Sequence, residues 1–217
     1  MGKGIRLNIV AVLRIIFPAV VLVCFSAAPA LAAIGCDLND ADRDVPRLFP
    51  ESTSYKTIYV SIGQRGGPPL LKRIEKRLGE EYLTLYAPID VPYTLYEIYI
   101  GKNKAGYIHG VNQKGKFGGI QVFIAQDLHG RVKSFYIQKI SGRMANKFRD
   151  AKFYRQFVGV TIRDFDSYDP ASGKGSGRIA EIRSPVPEME TDFYGVLRGL
   201  KKNLILMDEF VFSLERR

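Results

Sequence analysis

Two histidines, two cysteines and one run of acids are the side chains with the most obvious chemical potential in this chain. His109, in a short strand, and His129, in a hairpin turn, are two isolated imidazoles with no Cys beside them, which makes neither a triad nor a metal site. No catalytic residue and no metal site is therefore expected. Cys24 falls inside an apolar N-terminal run, and neither Cys-x-x-Cys nor Cys-x-x-Cys-His occurs, which excludes a thioredoxin-like site, a zinc knuckle and covalent c-type haem. Glu188, Glu190 and Asp192 stand just before a predicted helix, where negative charge offsets the helix dipole without any catalytic role. Gly173-Lys174 lacks both the first glycine of a phosphate-binding loop and the strand that should precede it.

Cys36 has a different chemistry open to it. Lys3, Arg6 and Arg14 precede an apolar run over residues 15–25, and small residues follow to Gly35. The run falls short of the roughly 20 residues that span a bilayer, so it reads as an export signal over residues 1–35. Ala30-Leu31-Ala32 suits ordinary signal cleavage, while Ala33-Ile34-Gly35-Cys36 suits lipoprotein processing, and the small residue before Cys36 favours the second. Lipidation at Cys36 would tie the chain to the periplasmic side of a bacterial membrane, since acyl chains contribute about 0.8 kcal/mol per buried methylene. Residues 36–46 are polar and charged and read as a tether, with the folded domain occupying residues 47–217.

The glycines of Gly115-Lys116-Phe117-Gly118-Gly119-Ile120 have two readings. They let the backbone come close to something flat or bulky, or they simply form a bulged turn. The elements around them are clear. Residues 96–100, 119–124 and 131–137 are rich in β-branched and aromatic residues, with a shorter run at Tyr107-Ile108-His109, and Gly, Asn or Asp bounds each. Short loops join them, which predicts an antiparallel β-meander. Residues 57–62 read as one more strand, and residues 209–212 as a last short one. Leu70, Leu71, Ile74 and Leu78 share a helical face that Gly79 ends. Met144, Phe148, Ala151, Tyr154 and Phe157 or Val158 recur at three- and four-residue spacing, predicting a second helix. Phe193, Val196, Leu197, Leu200, Leu204 and Met207 predict a third over residues 191–207, capped by Thr191 or Asp192. The expected class is α+β: an antiparallel meander packed with about three helices, in a single domain after the signal.

The order of these pieces resembles the FMN-binding domain found in flavoprotein subunits of Rnf and Na⁺-translocating NADH:quinone oxidoreductase complexes and in NosR-like regulators. The matching pieces are Gly106-Tyr107 opening a strand, Gly118-Gly119-Ile120 entering the next, Asp127 and Gly130 at a hairpin, and Phe153, Gln156, Phe157 and Gly159 closing a helix. The resemblance implies FMN as cofactor, electron transfer as activity, and an integral membrane redox or transporter complex as partner. It implies Gly118, Gly119 and Ile120 at the flavin. Many members carry FMN as a phosphoester on the Thr of a Ser-Gly-Ala-Thr motif before the last helix. Here that stretch is Ser184-Pro185-Val186-Pro187-Glu188-Met189-Glu190-Thr191, so Thr191 is the nearest hydroxyl and acids surround it. Covalent attachment is therefore not expected, and a flavin-free scaffold or binding lipoprotein is the alternative.

Composition agrees with an exported folded domain. The chain has 217 residues, 46% hydrophobic and 12% aromatic, and a formal net charge of +10. Removing residues 1–35 takes away three bases and no acids, so the remainder stays basic. Its bases are dispersed rather than gathered with aromatics into a stripe, which argues against nucleic acid and suits an anionic membrane surface. A domain of this size buries roughly 70% of its unfolded surface, enough for a core without disulfide staples.

Overall fold

The computed structural model describes residues 36–79 and 91–215; the expected signal over residues 1–35 lies outside them. The meander is present. Strands β1 (Ser54–Val60), β2 (Tyr93–Ile100), β3 (Asn103–Gly115), β4 (Gly118–Asp127) and β5 (Val132–Lys139) pair antiparallel in chain order. Helices α1 (Ala41–Leu48), α2 (Gly67–Leu78) and α3 (Glu190–Met207) are the long ones among the described residues, and single helical turns fill the connections.

Both faces of the sheet are covered, which is why β4 reads as the nearly unbroken apolar run Ile120-Gln121-Val122-Phe123-Ile124-Ala125. On one face Val111, Val122, Ile124 and Ile137 pack with Val196, Leu200 and Leu204 of α3. On the other, Ile98, Ile108, Phe123 and Ala125 pack with Val45 and Leu48 of α1 and with Phe49. Each Val, Leu, Ile or Phe among them, fully buried, contributes about 1.5–3 kcal/mol. The approach of α3 is set by two glycines one turn apart: a Cβ on Gly195 would lie 3.1 Å from Ile120 Cδ1 and 3.2 Å from Lys114 O, and one on Gly199 would lie 3.1 Å from Val122 Cγ2.

α2 forms as expected, with Leu70, Ile74 and Leu78 buried, prolines in its first turn and Gly79 ending it in the left-handed region. Its Arg77 clamps the end of α3 through Asp208 and Glu209, each at 2.7 Å.

Five expectations change. Residues 36–46 are no loose tether: α1 starts at Ala41, and the segment before it is pinned by Gln138, which accepts Asn39 N–H at 2.9 Å and donates to Asp37 O at 2.9 Å. Polar composition hid a helix whose inward side is Val45 and Leu48. β3 is 13 residues long instead of three, because its glycines are buried; Gly110 pairs with Phe123, and the Phe123 ring fills the space a Cβ would need. β1 begins at Ser54, three residues early. The central helix is broken: Asp150 is extended (ψ 135°) and its carboxylate accepts Lys152 N–H at 2.8 Å, so a 3₁₀ turn (Ala145–Arg149) gives way to an α turn (Ala151–Tyr154). Phe148, Phe153 and Phe157 are still buried, and Met144 is exposed. Finally, Asp208–Phe212 is a π-helical turn continuing α3 where a strand was expected; it brings Phe210 to the Tyr93 ring (5.6 Å) and Phe212 to the Tyr107 ring (5.7 Å).

Candidate functional site

Gly118 and Gly119 sit at the β3–β4 hairpin. Gly115 pairs with Gly118, leaving Lys116-Phe117 as a two-residue turn, and Gly118 takes φ 134°, which an L side chain resists. These glycines thus form a turn, but not the bulged one expected: the β3–β4 register runs unbroken to Gly115 and Gly118. Both are exposed, and neither touches packed protein: a Cβ on Gly119 would meet nothing within 4 Å, and one on Gly118 only Ser141 Oγ at 4.0 Å. The edge they present is open. Beside it the Phe117 ring is 56% exposed, and Lys116 Nζ lies 5.3 Å from its centroid. Ile120 turns inward and is buried against α3 at Gly195.

The start of α3 meets this hairpin. Neither Thr191 nor Asp192 caps the helix: Met189 occupies the N-cap position and makes no side-chain capping bond. Thr191 is exposed in the first turn. Glu190 accepts the Tyr194 hydroxyl at 2.8 Å. Asp192 is buried, and its Oδ1 accepts the Lys116 backbone N–H at 2.7 Å while Oδ2 has no protein partner. The bond from Asp192 to Lys116 sets the first turn of α3, which carries Thr191, against the turn that carries Gly118 and Gly119, while Ile120 is buried beneath it.

The locus suits a flat ligand laid on the surface. Phe117 and the bare Gly118-Gly119 edge offer a ring something to lie against, and Lys116 beside them suits a phosphate, whereas the first turn of α3 already carries Glu190 and the buried Asp192. Glu188 and Glu190 oppose a phosphate dianion attached to Thr191 itself. The residues fit a non-covalently held FMN better than an esterified one.

Cys36 is elsewhere, in the core on the α1 side of the sheet, and only 4% exposed. Burial, with Asp37 second, pushes its thiol pKa up to about 12. Acylation there needs the sulfur outside the cluster in which the structure places it. The histidines do not meet: His129 is in the β4–β5 turn, and His109 is mid-strand opposite Ile124. His109 is completely buried, its Nδ1 2.8 Å from Asn203 Oδ1, and desolvation lowers its pKa to about 4. Asn203 Nδ2 donates to His109 O at 2.9 Å, and the buried Lys202 donates to Asn112 O at 3.1 Å. Sequence reasoning passed over Asn203 and took Asp192 only for helix-start charge or a cap. A signal existed for Asn203, which lies seven residues after Val196 on the apolar stripe of α3.

No family model matches the chain, and no curated protein sequence matches it. The fold is similar to that of Shewanella oneidensis NqrC, with a TM-score of 0.51 over 86% of this chain and 94% of that one, at 12% identity. At that identity the likeness establishes the fold.

Proposed function

We propose that this protein carries FMN at the junction of the Lys116–Gly119 turn and the start of α3, and relays electrons for a membrane-bound complex. The observation that carries this reading is the convergence at Asp192 and Lys116, which sets an open glycine edge, an exposed aromatic ring and a helix start side by side. The NqrC-like fold and the motif order of the FMN-binding domain support it. Bound there, the flavin would supply one- and two-electron transfer. The chain's own residues would bind and orient it: Phe117 and Gly118-Gly119 would hold the ring, and Lys116 would hold the phosphate. Export and lipid anchoring through Cys36 complete the proposal and would put this site beside its membrane partner.

The replacement of Ser-Gly-Ala-Thr by Pro187-Glu188-Met189-Glu190-Thr191 favours a second reading, in which the domain is a flavin-free accessory of a membrane transporter. Flavin absorbance of the purified protein, and in-gel fluorescence after denaturation, separate the two. A Cβ at Gly119 meets no protein atom within 4 Å, so Gly119→Val should fold, yet it covers the open edge and should abolish flavin binding. Thr191→Ala should leave binding intact. Fluorescence that survives denaturation and disappears in Thr191→Ala would establish covalent attachment. A parent protein that neither carries nor takes up FMN leaves the accessory role.

A further inference from the structure

At the other end of β4 the chain builds a second concave site. Asp127 organises the turn into β5: its Oδ1 accepts the backbone N–H groups of His129 (2.8 Å) and Arg131 (2.9 Å). The outer edge of β5 is then bonded to the segment that follows Phe157. Val132 N–H donates to Val160 O at 2.9 Å, and Gly159 N–H to Val132 O at 2.6 Å. These bonds put Arg163 on the same rim as His129 and Arg131, around a cavity of about 360 Å³ that Gln126, Leu204 and Phe212 also line.

Gln126 supplies an observation independent of shape. It is 2% exposed, and its Nε2 donates to Gly130 O at 2.9 Å, which leaves Oε1 buried with no protein donor. An orphaned acceptor on a side chain that lines the cavity is a place for a donor, from a water or from a ligand. The rim carries free charge as well. Among the described residues the guanidinium groups of Arg131 and Arg163 have no hydrogen bond or ion pair, whereas Asp208, the acid at this cavity, is held by Arg77 at 2.7 Å.

We propose that this cavity binds a small phosphate ester that also carries a hydroxyl, with the phosphate on Arg131 and Arg163 and the hydroxyl donating to Gln126 Oε1. Guanidinium forks match phosphate oxygens, and the buried acceptor selects for a donor on the same molecule. The cavity volume is in the range of small-molecule sites. The site is distinct from the hairpin locus: from Gly118 to Asp127, β4 covers about 30 Å at roughly 3.3 Å per residue. A free phosphate ester and a glycerophosphate lipid headgroup share this chemistry.

The test titrates the purified full chain with glycerol 3-phosphate, following the amides of Gly130 and Arg131 by NMR, with sulfate as an anion that has no donor. Glycerol 3-phosphate should bind saturably and sulfate more weakly. Arg131→Ala and Arg163→Ala, both surface changes, should each weaken binding about tenfold or more. Gln126→Glu, which sets a carboxylate against the anion, should abolish it. A parallel arm sediments the protein with phosphatidylglycerol vesicles and with phosphatidylcholine vesicles. Capture by phosphatidylglycerol alone, lost in Arg163→Ala, assigns the headgroup as the source; saturation by glycerol 3-phosphate without capture assigns a free ester. Equal response to sulfate, or binding unchanged in both arginine variants, overturns the proposal.

Discussion

The Asp192 carboxylate holds the Lys116 backbone N–H at 2.7 Å, across 76 positions of sequence, and so fixes the β3–β4 turn against the first turn of α3. A charge-assisted bond of this kind contributes about 1.5–3 kcal/mol, and the acid also suits the positive end of the helix. Against this stands the buried Oδ2 without a partner. The net loss in Asp192→Ala should therefore be modest, about 1–2 kcal/mol. The local loss should be larger: the Lys116 amide should exchange with solvent at least about tenfold faster, because the turn opens without global unfolding. Asp192→Asn keeps an acceptor at Oδ1 and should retain much of the protection. Native-state hydrogen exchange on the three proteins checks this, and an unchanged Lys116 rate in Asp192→Ala would mean that the turn stands by itself.

Phe157 is the best single probe of the core beyond the sheet. It is fully buried, stacked on Phe135 at 4.0 Å and edge-on to Phe153 at 5.0 Å. Phe157→Ala should cost about 3–5 kcal/mol, through lost burial and the cavity left behind. Denaturant melts measure it; a loss below about 1 kcal/mol would show that the site collapses around the smaller side chain.

His109 makes stability depend on pH. Its pKa is lowered to about 4 in the folded state by burial, while in the unfolded chain it returns to about 6.5. Between those values the unfolded state binds the extra proton, so stability rises with pH through that window. The contribution is complete above about pH 6.5 and is lost as the pH falls toward about 4, on the order of 3 kcal/mol in all. Carboxylates also titrate there, so the test is comparative. His109→Gln should be destabilised at pH 7, yet its stability should fall less steeply between pH 6.5 and 4.5 than that of the parent. Parallel curves for the two proteins would show that His109 does not supply the slope.

The meander was legible because its signal is local: β-branched and aromatic runs separated by glycine-bearing turns. α2 and α3 were legible for the same reason, as apolar stripes at helical spacing. What sequence could not supply was anything decided across the sheet. Gly106 and Gly110 look like strand breakers until the Phe49 and Phe123 rings are seen occupying the space above them. Asp150 sits at a position the helical pattern tolerates, and only its extended backbone shows where the helix stops. The polar stretch containing Asp40, Asp42 and Arg43 hid α1, because only two of its apolar side chains, Val45 and Leu48, are buried, and the third buried residue, Asp44, is a charge paired with Arg43 and Arg47. At the candidate site the glycines and Thr191 were found from motif order, whereas Asp192 was read as ordinary helix-start charge. Its role depends on a partner 76 positions away.

Cys36 offers the sharpest test of the segment taken for a tether. The thiol is buried and its pKa pushed up to about 12, so at neutral pH it is neither exposed nor ionised, and the thiolate is the reactive form. In a Cys24→Ser background the native protein should react with a thiol reagent far more slowly than the denatured one. Gln138→Ala should raise the native rate, because Gln138 makes both hydrogen bonds that hold Asp37 and Asn39 to β5. Lipidation gives a different result: an acylated Cys36 would not react even when denatured, and Cys36→Ser would shift the protein from the membrane to the soluble fraction. Rapid labelling of the native protein would contradict both, and would favour the tether that the composition of residues 36–46 suggested.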